Sequence, residues 1–283
     1  MKTLKLNNGV EIPAEGYGVF QIPDAAECER SVLDAIQSGY RMVDTAAAYF
    51  NEEAVGRAIR KSGVKREDLF ISTKLWVQDA SYEGAKRAVS DSLAKLNLDY
   101  IDLYLIHQPF GDYYGAWRAM EEMLAEGKLR AIGVSNFESD RLVDLILNNK
   151  VVPAVNQIEL HPFHQQDEAL EVMKEYGVVP EAWGPLAEGQ KDIFNNPVLK
   201  KIADAHGRTV AQVILRWNVQ RGVVVIPKST KKSRMEENIG IWDFELTKSE
   251  MAQIKTLDVG HSEIIDHHSV NIVKYLNGVK VHD

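Results

Sequence analysis

Four polar side chains of this sequence have the chemistry needed to reduce a carbonyl group: Asp44, Tyr49, Lys74 and His107. The reduction takes a hydride and a proton, and a tyrosine with an ordinary pKa of about 10 donates its proton slowly near neutrality. A neighbouring ammonium lowers that pKa because it favours the phenolate. We therefore predict Tyr49 as general acid, Lys74 as the cation that tunes it, and Asp44 as the carboxylate that keeps the ammonium charged. His107 would donate to the carbonyl oxygen and orient it.

Each of these residues also has an ordinary structural interpretation. Asp44 could cap a helix, Lys74 could form a structural ion pair, Tyr49 could pack at the surface, and His107 could be a core histidine. Their positions favour the catalytic interpretation, because three of them end consecutive apolar runs of the chain.

Such runs recur along the whole sequence. In order they are RMVD, LFISTK, IDLYLIH, RAIGVSN, AVNQ, EAWG and VVVIPKS, with helical patterns between them. This alternation predicts an α/β fold, the (β/α)8 TIM barrel, whose catalytic residues lie at the C-terminal ends of the strands. Because those ends meet at one mouth, we expect the polar side chains that follow the runs to share a pocket.

Both ends of the chain are expected to flank the barrel. Residues 4–6 and 10–12 alternate in polarity around Asn7-Asn8-Gly9, which predicts a hairpin at one mouth. Residues 258–283 show little periodicity and predict a loop over a mouth with at most a short final helix, in which His267 and His268 are solvated. No linker composition interrupts the chain, so residues 1–283 are expected to form a single domain.

Composition excludes several classes of partner. The net charge of −8 disfavours nucleic acid and anionic membranes, which bind basic patches. The single cysteine, Cys28, excludes an internal disulfide and a thiolate zinc cluster and fits a reducing compartment. The N-terminus lacks the apolar core of a signal peptide, and no run approaches the roughly 20 apolar residues of a spanning helix. We expect a cytoplasmic monomer that acts on small molecules.

A basic turn follows the last apolar run. Residues 228–234 contain four cations, and residues 233–238 have the pattern of a short helix. Phosphate sites of TIM barrels often lie after the last two strands, at the N-terminus of such a helix. Lysine and arginine there suit a dinucleotide with an extra 2′-phosphate, although a solvated basic turn is the alternative. Gly16 and Gly18 lack the third glycine of the Rossmann fingerprint, so another architecture must bind the dinucleotide.

Several ordered motifs carry a resemblance to a known family. They are Asp44-Thr45-Ala46 with Tyr49, Leu105-Ile106-His107 with Pro109, residues 133–137 (GVSNF), and Ile226-Pro227-Lys228-Ser229 with Arg234. With them, the chain resembles the aldo-keto reductases over nearly its whole length. The resemblance implies a TIM barrel that transfers hydride from NADPH to aldehydes and ketones without a metal.

The resemblance also implies sites. The catalytic positions match Asp44, Tyr49, Lys74 and His107. The positions that hold and stack on the nicotinamide match Ser135, Asn136, Gln157 and Trp183, and those of the pyrophosphate loop match Gly184, Pro185 and Leu186. Contacts to the 2′-phosphate and adenosine match Lys228, Ser229, Thr230 and Arg234, with Glu237 and Asn238 towards adenine. Gly18 and Phe20 are expected to complete the cofactor site.

Departures from the family pattern concern the substrate. Gln108 replaces a frequent tryptophan after the catalytic histidine, Phe20 replaces a pocket tryptophan, and Trp76 keeps its aromatic character. With His107, these residues are predicted to contact the substrate. The loop after the fourth strand and the tail are short, so we expect a shallower, more polar and more open pocket than in reductases of bulky apolar ketones. The microbial 2,5-diketo-D-gluconate and glyoxal reductases are the most similar branch, which implies small dicarbonyls, aldehydes and keto-sugars as substrates.

The sequence leaves two other functions open. Lys74 at a barrel strand end could form a Schiff base, as in aldolases. The chain could also be a nicotinamide-binding regulatory module on the same scaffold. A metal is not expected, because proline and phenylalanine separate His161 from His164 and no carboxylate set accompanies them in the sequence.

Overall fold

The computed structural model describes residues 2–283, and its chain begins with a β-hairpin. Strands β1 (Thr3–Lys5) and β2 (Glu11–Pro13) pair antiparallel, as the alternation around Asn7-Asn8-Gly9 predicts. Leu6 and Ile12 of this hairpin are buried against inward-facing residues of the barrel strands, among them Phe70 and Leu103. The hairpin therefore closes the N-terminal mouth and leaves the opposite mouth for a site.

Eight further strands form one parallel sheet, in the order of their sequence. They are β3 (Tyr17–Gly18), β4 (Met42–Asp44), β5 (Phe70–Leu75), β6 (Ile101–Ile106), β7 (Leu129–Ser135), β8 (Val155–Glu159), β9 (Val179–Trp183) and β10 (Val224–Val225). All residues of β5 and β6 are buried. Burial on both faces explains the nearly continuous apolar sequence of β6.

Backbone hydrogen bonds between the first and last strands close this sheet into a barrel. Gly16 N donates to Val225 O at 2.8 Å, Val225 N to Ala14 O at 3.2 Å, and Gly18 N to Pro227 O at 3.2 Å. A Cβ atom on Gly18 would lie 2.8 Å from the carbonyl oxygen of Ile226. Gly16 and Gly18 therefore do not form a Rossmann fingerprint. They let the first and last strands of the barrel approach each other closely.

Helices connect the strands of the barrel, and three more follow the last strand. They are α1 (Ala25–Gln37), α2 (Glu52–Lys61), α3 (Tyr82–Leu96), α4 (Tyr113–Ala125), α5 (Ser139–Leu147), α6 (Asp167–Glu175), α7 (Pro197–His206), α8 (Val210–Gln220), α9 (Lys232–Ile239), α10 (Lys248–Lys255) and α11 (Val270–Gly278). Side chains fix several starts: Asp24 caps α1, and Thr209 and Thr247 form capping boxes with Gln212 and Glu250. The predicted (β/α)8 barrel is confirmed.

The C-terminal tail crosses the open mouth. It contains the short helix α11, as predicted, and hydrogen bonds attach it at two points of the barrel rim. Glu159 at the end of β8 accepts from Ser262 Oγ at 2.7 Å, and Gln78 after β5 accepts from Val281 N at 2.8 Å. Within residues 2–283, no helix is both long and apolar enough to cross a membrane.

Candidate active site

A cleft of about 960 Å³ opens at the C-terminal ends of the strands, under the tail. Most side chains predicted for the site line it, which confirms that the apolar runs end at one mouth. Those that line it are Gly18, Phe20, Asp44, Tyr49, Trp76, His107, Gln108, Ser135, Asn136, Gln157, Trp183, Gly184, Pro185, Leu186, Lys228, Ser229, Arg234, Glu237 and Asn238. Two predicted residues, Lys74 and Thr230, are not among the lining residues.

A fully buried ion pair forms the floor of the cleft. Strands β4 and β5 are neighbours, so Asp44 and Lys74 face each other, with Lys74 Nζ 2.6 Å from Asp44 Oδ2. The ammonium also donates to the carbonyl oxygen of Thr45 at 2.8 Å and to the hydroxyl of Tyr49 at 3.4 Å. Burial opposes its charge, but Asp44 and Tyr49 outweigh burial and raise the pKa of Lys74. The raised pKa favours the protonated amine, which has no lone pair with which to form a Schiff base.

Tyr49 lies above this pair on a single helical turn, Ala47–Tyr49. Its ring contacts Phe20, with the ring centres 4.9 Å apart, and lies 4.9 Å from Lys74 Nζ. The sequence predicts a lowered pKa, and this expectation is wrong for the net shift: burial raises the pKa of Tyr49 more than Lys74 lowers it. The phenol is consequently held in its protonated form.

His107 follows β6 and faces Tyr49 across the cleft. Its ring lies 5.7 Å from the Tyr49 ring and 5.1 Å from that of Trp76, edge to face in both cases. Burial and the charge of Lys74 hold the pKa of His107 well below its ordinary range. A neutral imidazole keeps one N–H, so His107 can donate a hydrogen bond to an oxygen in the cleft.

The wall opposite Asp44 is a network of amides. Asn136 Nδ2 donates to the carbonyl oxygen of His107 at 3.0 Å, and Trp183 Nε1 donates to Asn136 Oδ1 at 2.8 Å. Ser135 Oγ donates to the backbone oxygen of Gln157 at 2.9 Å. The polar atoms of Asn136 therefore hold the Trp183 indole in place. Gln108 is buried beside Asn136, so it is part of the wall rather than of the rim.

One buried carboxyl of the site was missed from sequence. Glu181 in β9 is fully buried, and Gln157 Nε2 donates to it at 2.8 Å and to Asp44 Oδ1 at 3.1 Å. Burial first, and then the charge of Asp44, raise the pKa of Glu181 to about 8. The sequence contained a signal, because a glutamate inside the apolar run VPEAW is unusual for a barrel strand.

The other end of the cleft is positively charged. Lys228 and Arg234 line it with exposed side chains, and neither forms a salt bridge with any residue of the described range 2–283. The other two cations of the basic turn, Lys231 and Lys232, do not line the cleft. Thr230 of the same turn is not among the lining residues, and its carbonyl oxygen accepts from Arg30 of α1 at 3.3 Å. Its contact with the cofactor stays a prediction.

The tail contributes a group of apolar side chains to the cleft. Those that line it are Ile264, Ile265, Ile272, Tyr275, Leu276 and Val279, so the tail side of the cleft is apolar. That the pocket is more polar and more open than in reductases of bulky apolar ketones stays a prediction. His267 also lines the cleft and is half-buried, which corrects the expectation that it is solvated. Burial lowers the pKa of His267.

His161 is a structural residue. Its Nε2 lies 3.1 Å from Glu159 Oε1, and the same carboxylate accepts from Glu263 N at 3.0 Å in the tail. Across residues 2–283 no group of three or more metal-ligating side chains converges. The pair His161–Glu159 therefore anchors the tail.

The closed barrel, with a buried aspartate–lysine pair under a tyrosine and a histidine, defines the class of (β/α)8 enzymes with an acid–base site. Comparison with known proteins gives the family. Residues 15–259 match the model of the Aldo/keto reductase family, so the chain belongs to the aldo-keto reductases and is an oxidoreductase, as its motifs indicate.

The chain is similar to several known proteins over most of its length and of theirs. The glyoxal reductase of Bacillus subtilis (strain 168) is 50% identical over 257 residues, which cover 90% of this chain and 92% of that protein. The methylglyoxal reductase DkgA of Escherichia coli (strain K12) is 45% identical over 260 residues, 91% and 94% of the two chains. A Bombyx mori aldo-keto reductase solved in complex with NADP has a TM-score of 0.90 at 35% identity, covering 96% of each chain. NADP(H) is also the cofactor predicted from sequence.

Proposed function

We propose that this protein reduces the carbonyl group of small aldehydes, ketones, dicarbonyls or keto-sugars to an alcohol with NADPH, and that Tyr49 is the general acid. One observation carries the proposal: the hydroxyl of Tyr49 lies 3.4 Å from the buried ammonium of Lys74 and on the same cleft floor as His107. A protonated phenol, a fixed cation and a neutral imidazole are the groups that a nascent alkoxide needs.

The cleft fits NADPH in charge and shape. Lys228 and Arg234 are cations without anionic partners in the described chain, at one end of the cleft, and they would hold the 2′-phosphate. At the other end, the flat ring of Trp183, fixed by Asn136, would stack on the nicotinamide. Gln157 would hold the carboxamide, and residues 184–186 would contact the pyrophosphate.

The proton transfer follows from the floor geometry. When bound, NADPH supplies the hydride that adds to the carbonyl carbon. His107 donates an N–H to the carbonyl oxygen and orients it, and Tyr49 then gives its hydroxyl proton to that oxygen as negative charge develops. Lys74, charged because Asp44 is 2.6 Å away, stabilises the phenolate left on Tyr49 until solvent returns a proton.

The substrate class is supported by the relatives and by the pocket. The names of two relatives at 45–50% identity state the reduction of glyoxal and of methylglyoxal. In this chain Gln108 adds a buried amide to the cleft beside His107, where a second oxygen of a dicarbonyl would lie. The apolar tail residues contact the rest of a larger aldehyde.

Oxidation of NADPH in the presence of methylglyoxal tests the proposal. We expect steady turnover by the wild type and a loss of roughly 10²–10⁴-fold in Tyr49→Phe, since general acid catalysis contributes about that much. Quenching of protein fluorescence by NADPH should be retained in Tyr49→Phe. Turnover near the wild-type rate in that variant would exclude Tyr49 as the acid, and cofactor binding without turnover by the wild type would favour the regulatory module.

A further inference from the structure

Glu181 is a buried carboxyl without a cation of its own. It lies in the barrel interior, fully buried, and its Oε1 accepts from Gln157 Nε2 at 2.8 Å. Within the described part of the chain its other oxygen, Oε2, is buried and has no hydrogen-bond partner. An ionised carboxylate with one oxygen unsolvated is costly, so the neutral acid is the favoured form of this residue.

Gln157 connects this carboxyl to the catalytic floor. Its amide nitrogen has two hydrogens, one for Glu181 Oε1 and one for Asp44 Oδ1 at 3.1 Å. Lys74 donates both to Asp44 and to the Tyr49 hydroxyl. A continuous chain of hydrogen bonds therefore connects Glu181 to Tyr49. Since Asp44 Oδ1 and Glu181 Oε1 both accept from the nitrogen of Gln157, its side-chain oxygen is left for the cleft.

We infer that Glu181 is a positioning residue: together with Asp44 it fixes the amide of Gln157, and its protonation state sets the number of negative charges beneath Tyr49. The inference rests on the proposed function, which gives Tyr49 and Gln157 their roles.

The charges that face Glu181 determine how its ionisation changes the acidity of Tyr49. Those charges are the carboxylate of Asp44 from β4 and the ammonium of Lys74 from β5, with the Tyr49 phenol above them. Burial and Asp44 raise the pKa of Glu181 to about 8, so at neutral pH the cluster has one anion and one cation. Above that pH a second anion forms, which raises the pKa of Tyr49 and makes it a weaker acid. Reduction should then slow as the pH rises through about 8.

The first test needs no cofactor. Infrared spectra of the cofactor-free protein, recorded as a pH series, report protonated carboxyl groups by their carbonyl band. We expect part of this band to persist at neutral pH, to disappear near pH 8, and to be missing in Glu181→Gln. Glu15 is a matched control, since it is also fully buried with a pKa raised to about 8, but it accepts from Trp242 rather than from Gln157. Glu15→Gln should remove a separate part of the band. If Glu181→Gln leaves the band unchanged, Glu181 is ionised at neutral pH and the inference fails.

The second test uses the pH profile of kcat/KM with methylglyoxal. The wild type should lose activity with a midpoint near pH 8, a step that is absent in Glu181→Gln and present in Glu15→Gln. A merely structural role for Glu181 would lower the whole profile without removing the step, and that result would overturn the inference.

A third readout concerns the amide of Gln157. Glu181→Gln keeps an oxygen that can accept from Gln157, whereas Glu181→Leu removes it. We expect NADPH affinity, measured by fluorescence quenching, to fall roughly fivefold further in Glu181→Leu than in Glu181→Gln. Equal affinities would show that Glu181 does not fix Gln157. If the wild type reduced no carbonyl compound, the proposed function would fail while the infrared result on Glu181 could still stand.

Discussion

The indole nitrogen of Trp76 donates a hydrogen bond to the carbonyl oxygen of Val279, 2.9 Å away and 203 residues later in the chain. The Trp76 ring also lies edge to face against His107, with the ring centres 5.1 Å apart. One side chain thus joins the predicted catalytic histidine to the tail that covers the cleft. The position of the tail is therefore coupled to the floor of the site.

Trp76→Phe should loosen the tail over the cleft. Phenylalanine keeps an aromatic ring but loses the N–H, and one hydrogen bond contributes about 1 kcal/mol. We expect a several-fold rise in KM and faster hydrogen exchange in α11, with NADPH affinity retained. Trp117→Phe is the control, because Trp117 loses an equivalent bond to the Val151 carbonyl outside the cleft. An equal rise in KM in both variants would mean that general destabilisation is the cause.

The Asp44–Lys74 pair should behave as a single unit. Removing one partner of a buried pair leaves an uncompensated charge, at a cost of about 3–5 kcal/mol. Lys74→Met and Asp44→Asn should each lower the free energy of unfolding by that order, and the double variant by clearly less than the sum. Urea denaturation measures all three. Lys86→Met, which breaks the exposed pair with Glu122 at 2.7 Å, should have a far smaller effect. Additive losses would show that Asp44 and Lys74 do not interact in the folded protein.

Arg234→Ala should weaken NADPH much more than NADH. A charge-assisted hydrogen bond to the 2′-phosphate contributes about 1.5–3 kcal/mol, which corresponds to roughly tenfold to hundredfold in affinity. Lys231→Ala removes a cation of the same turn that does not line the cleft, and it should leave both affinities nearly unchanged. Fluorescence titrations with the two cofactors measure this. An equal loss for NADPH and NADH would place the 2′-phosphate elsewhere.

The sequence predicts the residues of this site well where the order of the strands alone determines their positions. Asp44, Lys74 and His107 end consecutive parallel strands, so their side chains must meet at one mouth once the sheet closes. Lys228 could be placed for the same reason, since its strand lies beside β9 at the end of the sheet order. The local sequence pattern was sufficient to predict that these residues meet, because the closed barrel brings the ends of its strands together.

Other features depend on contacts that no local pattern encodes. The bond from Trp76 to Val279 and the position of His267 result from how the tail folds back over the mouth. The net rise in the Tyr49 pKa depends on how deeply the ring is buried, which residue types alone do not give. Glu181 was predictable only in part: its strand marks it as buried, but its link to Asp44 requires the side-chain position of Gln157.

Gly18→Ala tests the seam that closes the barrel. The added Cβ would lie 2.8 Å from the backbone oxygen of Ile226, and backbone on both sides leaves no flexible group to yield. Overpacking of this kind costs about 1–3 kcal/mol, so we expect a lower free energy of unfolding in the cofactor-free protein. Gly278→Ala, at a position with nothing within 4 Å, is the control. Unchanged stability of Gly18→Ala would show that the seam can open enough to admit a methyl group.

The stability of the protein should fall between about pH 5 and pH 8, in part because of Glu15. Burial raises the pKa of Glu15 to about 8, against the opposing effect of the hydrogen bond from Trp242. In this window the folded chain holds a proton that the unfolded chain has lost, so the free energy of unfolding decreases as the pH rises, by at most about 1.4 kcal/mol per pH unit. Glu15→Gln keeps an acceptor for Trp242 but cannot titrate. Its stability, measured by urea denaturation, should therefore decline less steeply than that of the wild type.

The lowered pKa of His107 acts on stability in the opposite direction, but it is common to both proteins and cancels in the difference. If the free energy of unfolding changed equally with pH in the two proteins, Glu15 would be ionised in the folded protein. Its buried oxygen, Oε1, would then have a donor that compensates the charge.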